Sequence, residues 1–255
     1  MFSILSLNVN DFGGIDHHLM EYKKLNWQGK EVTDWLSWKE SVDKKIPLLA
    51  ILDYMKKVSP SILILQEFEV NNSDESKEFI EQLTKYNYSL ISNIPSYKAS
   101  VTAVFVKSEY KTKTMVNPNT LDGRSYTFRI EDVIIHGTHV PPKGNERVQT
   151  FWDEIETFYK KFCKEKVLLI GDFNTINAEN MKRYKQLLNI GGIDVWIEKG
   201  YADNIPTCGN IRMDMAIVSP ELLPYVTDIT ICSSLLYKGM TDHTALMVDI
   251  DMRNK

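Results

Sequence analysis

The sequence predicts an α/β fold arranged as a four-layer sandwich, in which two mixed β-sheets pack face to face and helices cover their outer faces. Apolar segments of strand length alternate with helical patterns along all 255 residues. Ten such strand segments are many for one open sheet, whereas two packed sheets bury them better. No Pro-, Gly- or Ser-rich linker and no repeat interrupts the alternation, so residues 1–255 are predicted to form one domain.

The strands are recognised as short runs of apolar and β-branched residues. They are predicted at residues 2–8, 61–66, 88–92, 102–107, 125–130, 133–140, 167–171, 213–219, 226–232 and 245–251. Only Glu131 and Asp132 separate the fifth segment from the sixth, which predicts a tight antiparallel hairpin. Because the other strands alternate with helices, the sheets should be mixed.

Helices are predicted where apolar residues recur near a period of 3.6 with a polar face opposite. These segments are residues 38–58, 73–85, 147–164 and 180–188. A long polar stretch with Gly13-Gly14 and His17-His18 lies between Asn8 and the first helix. A loop of this length either shapes a binding site or is a surface excursion without a role in chemistry, and both alternatives stay open.

Composition and charge exclude several classes of protein. A hydrophobic content of 43% and a charged content of 25% exclude disordered and fibrous chains. The net charge of −4 argues against a diffuse basic surface that holds nucleic acid, although nucleic acid can still be a transient substrate. Three cysteines without C-x-x-C spacing favour reduced thiols. Without a basic leader or an apolar run of ~20 residues, we expect a cytoplasmic monomer with no transmembrane segment.

Polar residues recur at the ends of the predicted strands. The clearest case is the strand at residues 167–171, which leads directly into Asp172 and Asn174. Side chains at positions i and i+2 of an extended segment point the same way, so these two can address one atom from one side. The same pattern of an apolar strand followed by polar residues recurs at Asn8, Gln66-Glu67 and His139, and Thr241-Asp242-His243 adds a carboxylate and an imidazole just before the last strand.

Six short motifs, taken in order, resemble those of the endonuclease/exonuclease/phosphatase superfamily. They are S-L-N at residues 6–8, L-Q-E at 65–67, G-T-H at 137–139, G-D-F-N at 171–174, R-M-D at 212–214 and T-D-H at 241–243. Each motif is weak alone, but six in the family's order make a chance match improbable. The resemblance implies two packed mixed sheets and hydrolysis of a phosphate ester with a divalent metal, usually Mg²⁺, which Mn²⁺ can replace.

The residue chemistry at the first two motifs agrees with a metal site. A carboxylate at the end of a buried strand is costly unless it is paired or bound to metal, which makes Glu67 a candidate ligand. Mg²⁺ takes few protein carboxylates and keeps several waters, so Glu67, Asn8 and Asp242 suit it better than they suit Zn²⁺. The alternative for Glu67 is an exposed carboxylate at a strand end.

The remaining motifs are assigned to the hydrolysis itself. Asp172 is predicted to orient or deprotonate the attacking water and Asn174 to hold the water or a phosphate oxygen, with a simple chain reversal as the alternative. The resemblance implies that His243 faces the scissile phosphate and that Asp214 holds its other ring nitrogen. It also implies that His139 protonates the leaving oxygen or binds the phosphate, with a satisfied core histidine as the alternative.

Two further basic residues are assigned in the same region. Arg124 resembles a family arginine that binds phosphate, and its alternative is a solvated arginine at a strand start. His136 lies three residues before His139 and so faces the opposite side of its strand, which predicts a structural role.

The predicted function is a metal-dependent phosphoesterase that hydrolyses a phosphodiester, with nucleic acid as the first choice of substrate. One alternative is an esterase acting on an inositol phosphate, a phospholipid headgroup or a small nucleotide. Another is a noncatalytic binding module of the same fold. Leu7-Asn8 and His139 differ from the W-N pair and the tyrosine that apurinic endonucleases tend to carry, which makes DNA repair a less expected role.

Overall fold

A computed structural model describes residues 1–15, 43–69, 74–94, 100–121, 123–142 and 146–253. Its strands are β1 (Phe2–Asn8), β2 (Ile62–Glu69), β3 (Tyr88–Leu90), β4 (Ser100–Lys107), β5 (Thr112–Thr114), β6 (Ser125–Ile130), β7 (Val133–His139), β8 (Lys166–Asp172), β9 (Ile193–Asp194), β10 (Asp214–Val218), β11 (Val226–Cys232) and β12 (Ala245–Ile250). Its α-helices are α1 (Lys45–Val58), α2 (Asp74–Lys85), α3 (Glu146–Phe162), α4 (Ala178–Asn189), α5 (Val195–Glu198) and α6 (Ser234–Tyr237).

The strands form two six-stranded sheets, in the orders β11-β12-β1-β2-β4-β3 and β5-β6-β7-β8-β10-β9. Each sheet contains one parallel pair, β1 with β2 and β7 with β8, and its other neighbours are antiparallel. The predicted mixed sheets are therefore confirmed. The predicted hairpin is also present, since β6 pairs antiparallel with β7 and Ile130 lies opposite Val133.

Three apolar layers explain the long apolar runs in the central strands. Ile4, Ile64 and Ile170 are fully buried between the two sheets. Their sequence neighbours on the same strands, such as Leu5 and Leu169, face outward and are buried in two further layers with residues of α1 and α2 on one side and α3 and α4 on the other. Strands buried on both faces show continuous rather than alternating hydrophobicity.

Several element boundaries differ from the prediction. Helix α1 begins at Lys45, and residues 43–44 of the predicted helix are not helical. The predicted helical residues 38–42 lie outside the described residues, as do His17-His18. The short strands β5 and β9 are absent from the prediction, since two or three residues are too few to show a period. Within the described ranges, no helix has both the length and the apolar composition needed to cross a membrane.

The parallel pairs decide where the motifs meet. Asn8 lies opposite Gln66 in the β1/β2 pair, and His139 lies opposite Asp172 in the β7/β8 pair. Strand β1 of one sheet also contacts β8 of the other. The carboxyl ends of the four strands therefore meet at one edge of the sandwich, although the motifs are far apart in the sequence.

Candidate active site

The side chain of Asn8 joins acidic groups from both sheets. Its amide Nδ2 donates to Asp172 Oδ2 at 3.2 Å and to Glu67 Oε1 at 3.3 Å. Its Oδ1 accepts the backbone N–H of Asn10 at 2.9 Å. Asn8 and Asp172 are each only 1% exposed, whereas the Glu67 side chain is 28% exposed. Glu67 is thus the carboxylate that solvent reaches, and Asn8 links it to the buried one.

A bulge in β2 positions Glu67. The register with β4 shifts between Leu65 and Phe68, and Glu67 has a left-handed backbone with φ 48°. Leu65 and Phe68 both pack in the outer apolar layer under α1 and α2, although regular alternation would put residues three apart on opposite faces. The extra residue in the bulge resolves this conflict and leaves Glu67 at the edge of the sheet.

The end of β8 holds Asp172 in a tight turn. Asp172 Oδ1 accepts the backbone N–H of Asn174 at 2.8 Å, and Asn174 has φ 47°. The Asn174 Nδ2 donates to the carbonyl of Val140 at 2.7 Å and to Asp172 Oδ2 at 3.2 Å. The expectation of an extended i, i+2 pair was wrong, because β8 ends at Asp172 and Asn174 has a left-handed backbone. Both side chains still meet, through the turn itself.

Gly171 permits the close approach of β7 to β8 just before Asp172. Its φ is +146°, and a Cβ built on it would lie 1.9 Å from the Thr138 carbonyl oxygen. No side chain fits in that space. The glycine of the G-D-F-N motif therefore has a steric role, which brings the two strands that carry His139 and Asp172 together.

His243 is oriented by Asp214, as the resemblance implied. Its Nδ1 lies 2.9 Å from Asp214 Oδ2, and its Nε2 lies 3.9 Å from Asp172 Oδ2. Burial disfavours the imidazolium, but the adjacent Asp214 carboxylate outweighs it and raises the pKa of His243 well above its usual value of 6.5. Thr241 fixes this segment to β1, because its Oγ1 donates to the Asn8 carbonyl at 2.6 Å.

His139 is close to Asp172 as well, but its pKa is shifted in the opposite direction from that of His243. Its Nε2 lies 3.7 Å from both Glu67 Oε1 and Asp172 Oδ2, and Arg124 Nη1 lies 3.2 Å from its Nδ1. Burial and the positive charges of Arg124 and His243 hold the pKa of His139 well below 6.5. The ring is therefore neutral. Arg124 Nη1 lies 3.2 Å from Nδ1 and 3.4 Å from Nε2, and since Arg can only donate, we assign the acceptor role to the nearer Nδ1 and the proton to Nε2.

Arg124 is more than a solvated arginine at a strand start. It is half-buried against His139, and its backbone carbonyl accepts the His139 N–H at 2.8 Å. Burial lowers the pKa of its guanidinium, and the negative charges of Glu67 and Asp172 oppose that effect, so it remains a cation facing the acidic groups.

Burial makes the ionised form of Asp172 unfavourable. Burial raises its pKa to about 7, the negative charge of Asp214 adds to this effect, and the positive charge of His243 opposes it. The ionised form of a buried carboxylate whose pKa is raised in this way is stabilised by a cation placed beside it. The oxygen donors of Glu67 and Asp172 are those that hard divalent ions prefer. The side chains present therefore fit such an ion.

Asp242 lies beside Cys208 and His243. A carboxylate oxygen of Asp242, the Cys208 Sγ and a ring nitrogen of His243 lie within 4.8 Å of one another. Cys208 was missed by the sequence analysis, which considered it only as a reduced thiol. The one local signal is the T-C-G turn shortly before the R-M-D motif, and only the fold brings it to His243.

Arg212 of the R-M-D motif forms ion pairs with two aspartates and has a structural role. Its Nη2 lies 2.7 Å from Asp194 Oδ2 and 2.6 Å from Asp203 Oδ1. The side chain is 3% exposed. Thr207 lies in the same segment, and its Oγ1 accepts the backbone N–H of Asp214 at 2.9 Å. These contacts fix the chain that leads into β10 and so position Asp214.

The fold and the site together define an α/β sandwich protein with acids, amides and imidazoles at one edge of its two sheets. Within that class, the chain belongs to the endonuclease/exonuclease/phosphatase family, because the model of the Endonuclease/Exonuclease/phosphatase family matches residues 6–243. The predicted resemblance is confirmed.

One curated relative is the DNA-(apurinic or apyrimidinic site) endonuclease of Dictyostelium discoideum. The two are 24% identical over 190 residues, which cover 66% of this chain and 52% of the relative. The chain thus spans about half the length of that protein. This relative is named as an apurinic or apyrimidinic site endonuclease, the kind of family member that Leu7-Asn8 and His139 make less expected. The choice among the branches of the family therefore stays a prediction.

Three solved structures are similar in fold. An AP endonuclease from Archaeoglobus fulgidus has a TM-score of 0.64 and 15% identity, covering 99% of this chain and 100% of its own. A 3′ phosphatase, NExo, from Neisseria bound to product DNA hairpin has a TM-score of 0.61 and 13% identity, covering 98% and 100%. The endonuclease domain of TRAS1, a telomere-specific non-LTR retrotransposon, has a TM-score of 0.64 and 12% identity, covering 99% of each chain. These likenesses show the fold.

Proposed function

We propose that this protein is a metal-dependent phosphoesterase that hydrolyses a phosphodiester by in-line attack of water, with nucleic acid as the first choice of substrate. One observation carries the proposal: Asp172 lies within 3.9 Å of both His139 and the Asp214-oriented His243, at one edge of the sandwich. Family membership and the endonuclease name of the curated relative support it. Cytoplasmic location, the monomeric state and a single domain stay predictions.

Glu67 is the first ligand we assign to Mg²⁺, or to Mn²⁺ in its place, because its carboxylate is partly exposed and faces the buried Asp172. Asn8 would join it through its amide oxygen, which requires the amide to turn, since its nitrogen faces both carboxylates here. Asp242 is the third candidate, and its carboxylate lies close to a ring nitrogen of His243. A bound divalent ion neutralises phosphate charge and so favours attack and departure of the leaving oxygen.

Asp172 is the group we assign to the attacking water. A base is most effective when its pKa lies near the working pH, and burial raises the pKa of Asp172 to about 7. The backbone N–H of Asn174 and the amides of Asn174 and Asn8 hold its two oxygens in place. The Asn174 amide protons already have protein acceptors, so its nitrogen positions Asp172, and its oxygen is the atom left for water or substrate.

His243 and Arg124 supply positive charge for the phosphate. Asp214 keeps His243 in the imidazolium form and fixes its ring, as a carboxylate does in hydrolase triads. Arg124 adds a permanent cation, which suits bidentate contact with phosphate oxygens. His139 is neutral, so we assign it to a hydrogen bond from Nε2 to a phosphate oxygen rather than to protonation of the leaving group.

Turnover of bis(p-nitrophenyl) phosphate tests this assignment. We expect hydrolysis with Mg²⁺, none with chelator, and a loss in kcat of about 10²-fold or more in Asp172→Asn and His243→Gln. Asp74→Asn is the matched control, because its carboxylate is fully exposed on α2. Equal turnover with chelator, or both site variants within about twofold of the control, would refute the mechanism.

A substrate panel then separates the alternatives. It contains single-stranded DNA, abasic duplex DNA, RNA, cyclic dinucleotides, sphingomyelin and inositol phosphates. Cleavage of a polynucleotide supports the nuclease assignment, and cleavage confined to inositol phosphates or sphingomyelin supports the other esterase. Binding of a panel member without turnover of any would support a noncatalytic module instead.

A further inference from the structure

A second group of ligating side chains adjoins the proposed active site. It consists of the Cys208 thiol, the Asp242 carboxylate and a ring nitrogen of His243, whose ligand atoms lie within 4.8 Å of one another. Around a tetrahedral Zn²⁺ with bonds of about 2.0–2.3 Å, ligand atoms lie roughly 3.3–3.8 Å apart. Side-chain rotations that close the group by about 1 Å would therefore bring all three onto one ion.

The backbone holds the thiol beside His243. Cys208 forms an isolated antiparallel bridge with His243, and the Thr244 N–H donates to the Thr207 carbonyl at 2.8 Å. On its other side, Cys208 exchanges two backbone hydrogen bonds with Ile211, each 3.1 Å long. Backbone pairing to two segments thus fixes the main chain of Cys208 beside His243, and rotation of the side chain then sets the position of the thiol.

The chemistry of this group differs from that of the oxygen ligands around Glu67. A thiolate, an imidazole and a carboxylate are a ligand set for a borderline cation such as Zn²⁺, whereas Mg²⁺ avoids sulfur. Three protein ligands leave one coordination position open to water. Cys208 and Asp242 are half-buried and His243 is 5% exposed, so an ion can enter from solvent and be held on a buried side chain.

Occupation of this group would remove His243 from hydrolysis. If the ion takes Nδ1, it displaces Asp214 from its 2.9 Å contact. If the ion takes Nε2, it occupies the nitrogen that faces Asp172 at 3.9 Å. In either case the imidazole gives up its proton, because a metal-bound histidine is neutral at the ligating nitrogen, and the positive charge that we assign to the phosphate is lost.

We propose that Cys208, Asp242 and His243 form a thiolate-containing site for Zn²⁺ or a similarly borderline divalent cation, and that binding there inhibits hydrolysis. The inhibitory part rests on the proposed function, whereas the binding part does not. Binding releases two protons to solvent, one from the Cys208 thiol and one from the His243 imidazolium, so the ion meets a thiolate and a neutral ring nitrogen and the chemical balance needs no further reactant.

Co²⁺ absorption tests the site without any need for activity. We titrate the metal-free full chain with Co²⁺ and expect visible d–d bands of tetrahedral intensity with a near-ultraviolet thiolate-to-cobalt band, both removed by Zn²⁺. Cys208→Ser should abolish the thiolate band. Cys232→Ser is the matched control, because its thiol is equally half-buried but lies on β11, and it should retain the band.

Inhibition is measured on the same proteins, each relative to its own Mg²⁺-supported rate. We expect Cys208→Ser to raise the Zn²⁺ concentration for half-inhibition by at least about tenfold, while Cys232→Ser leaves it unchanged. A missing thiolate band, or one that survives in Cys208→Ser, overturns the site. Equal inhibition of both variants overturns the inhibitory role. If no substrate is turned over, the proposed function fails, and the cobalt spectra still decide the site by themselves.

Discussion

Acidification should destabilise the folded protein through His136, a residue that the proposed mechanism does not use. His136 is completely buried in β7, where its Nδ1 lies 2.8 Å from Thr127 Oγ1 and its ring packs 5.4 Å from that of Phe158. Burial lowers its pKa to about 3, whereas the same side chain in an unfolded chain titrates near 6.5. The folded protein therefore resists a protonation that the unfolded chain accepts.

The sign and size of this pH effect on the free energy of unfolding follow from proton linkage. Below pH 6.5 the unfolded chain binds a proton at His136 that the folded protein does not bind, so the free energy of unfolding falls as the pH falls. The loss is about 1.4 kcal/mol per pH unit, or about 2 kcal/mol at pH 5, and it continues down to the folded pKa of about 3. Above pH 6.5 both states are neutral at this residue and the effect vanishes.

Urea unfolding at about pH 7.5 and about pH 5 measures this quantity, with His136→Gln as the control. The wild type should lose about 2 kcal/mol more than the variant between the two pH values. Buried groups common to both proteins, including Asp172 with its raised pKa, cancel in this comparison. If His136→Gln does not fold, His136→Phe replaces it. A difference below about 0.5 kcal/mol would refute the reasoning.

Asp214→Asn removes the charge beside His243 with little change in shape, so the pKa of His243, followed by NMR, should fall. The kcat should drop by about 10²-fold. An unchanged pKa would contradict the pairing of Asp214 with His243. Gly171→Ala should destabilise the protein by more than about 3 kcal/mol in urea unfolding, because its Cβ would overlap the Thr138 carbonyl, and wild-type stability would contradict this steric role. Chelation should abolish hydrolysis and added Mg²⁺ or Mn²⁺ should restore it, whereas a chelator-resistant rate would exclude the metal.

The sequence was sufficient to predict two mixed sheets and ten of the twelve strands described, because strand periodicity and turn chemistry depend on neighbouring residues. The hairpin around Glu131 and Asp132 and the apolar strand before Asp172 are of this kind. The bulge at Glu67 was not predictable, since it arises from a conflict between the outer packing of Leu65 and Phe68 that exists only once the helices cover the sheet.

The sequence by itself determined the fold class, the family motifs and the set of acids, amides and imidazoles that could act together. Only the tertiary structure decided that His243 is charged while His139 is neutral, because these states depend on Asp214 and Arg124, which come from other strands and loops. It alone also placed Cys208 beside His243, 35 positions later in the chain. The pKa of a side chain depends on the charges that lie close to it in space, and a local sequence pattern does not show which distant residues the fold places there.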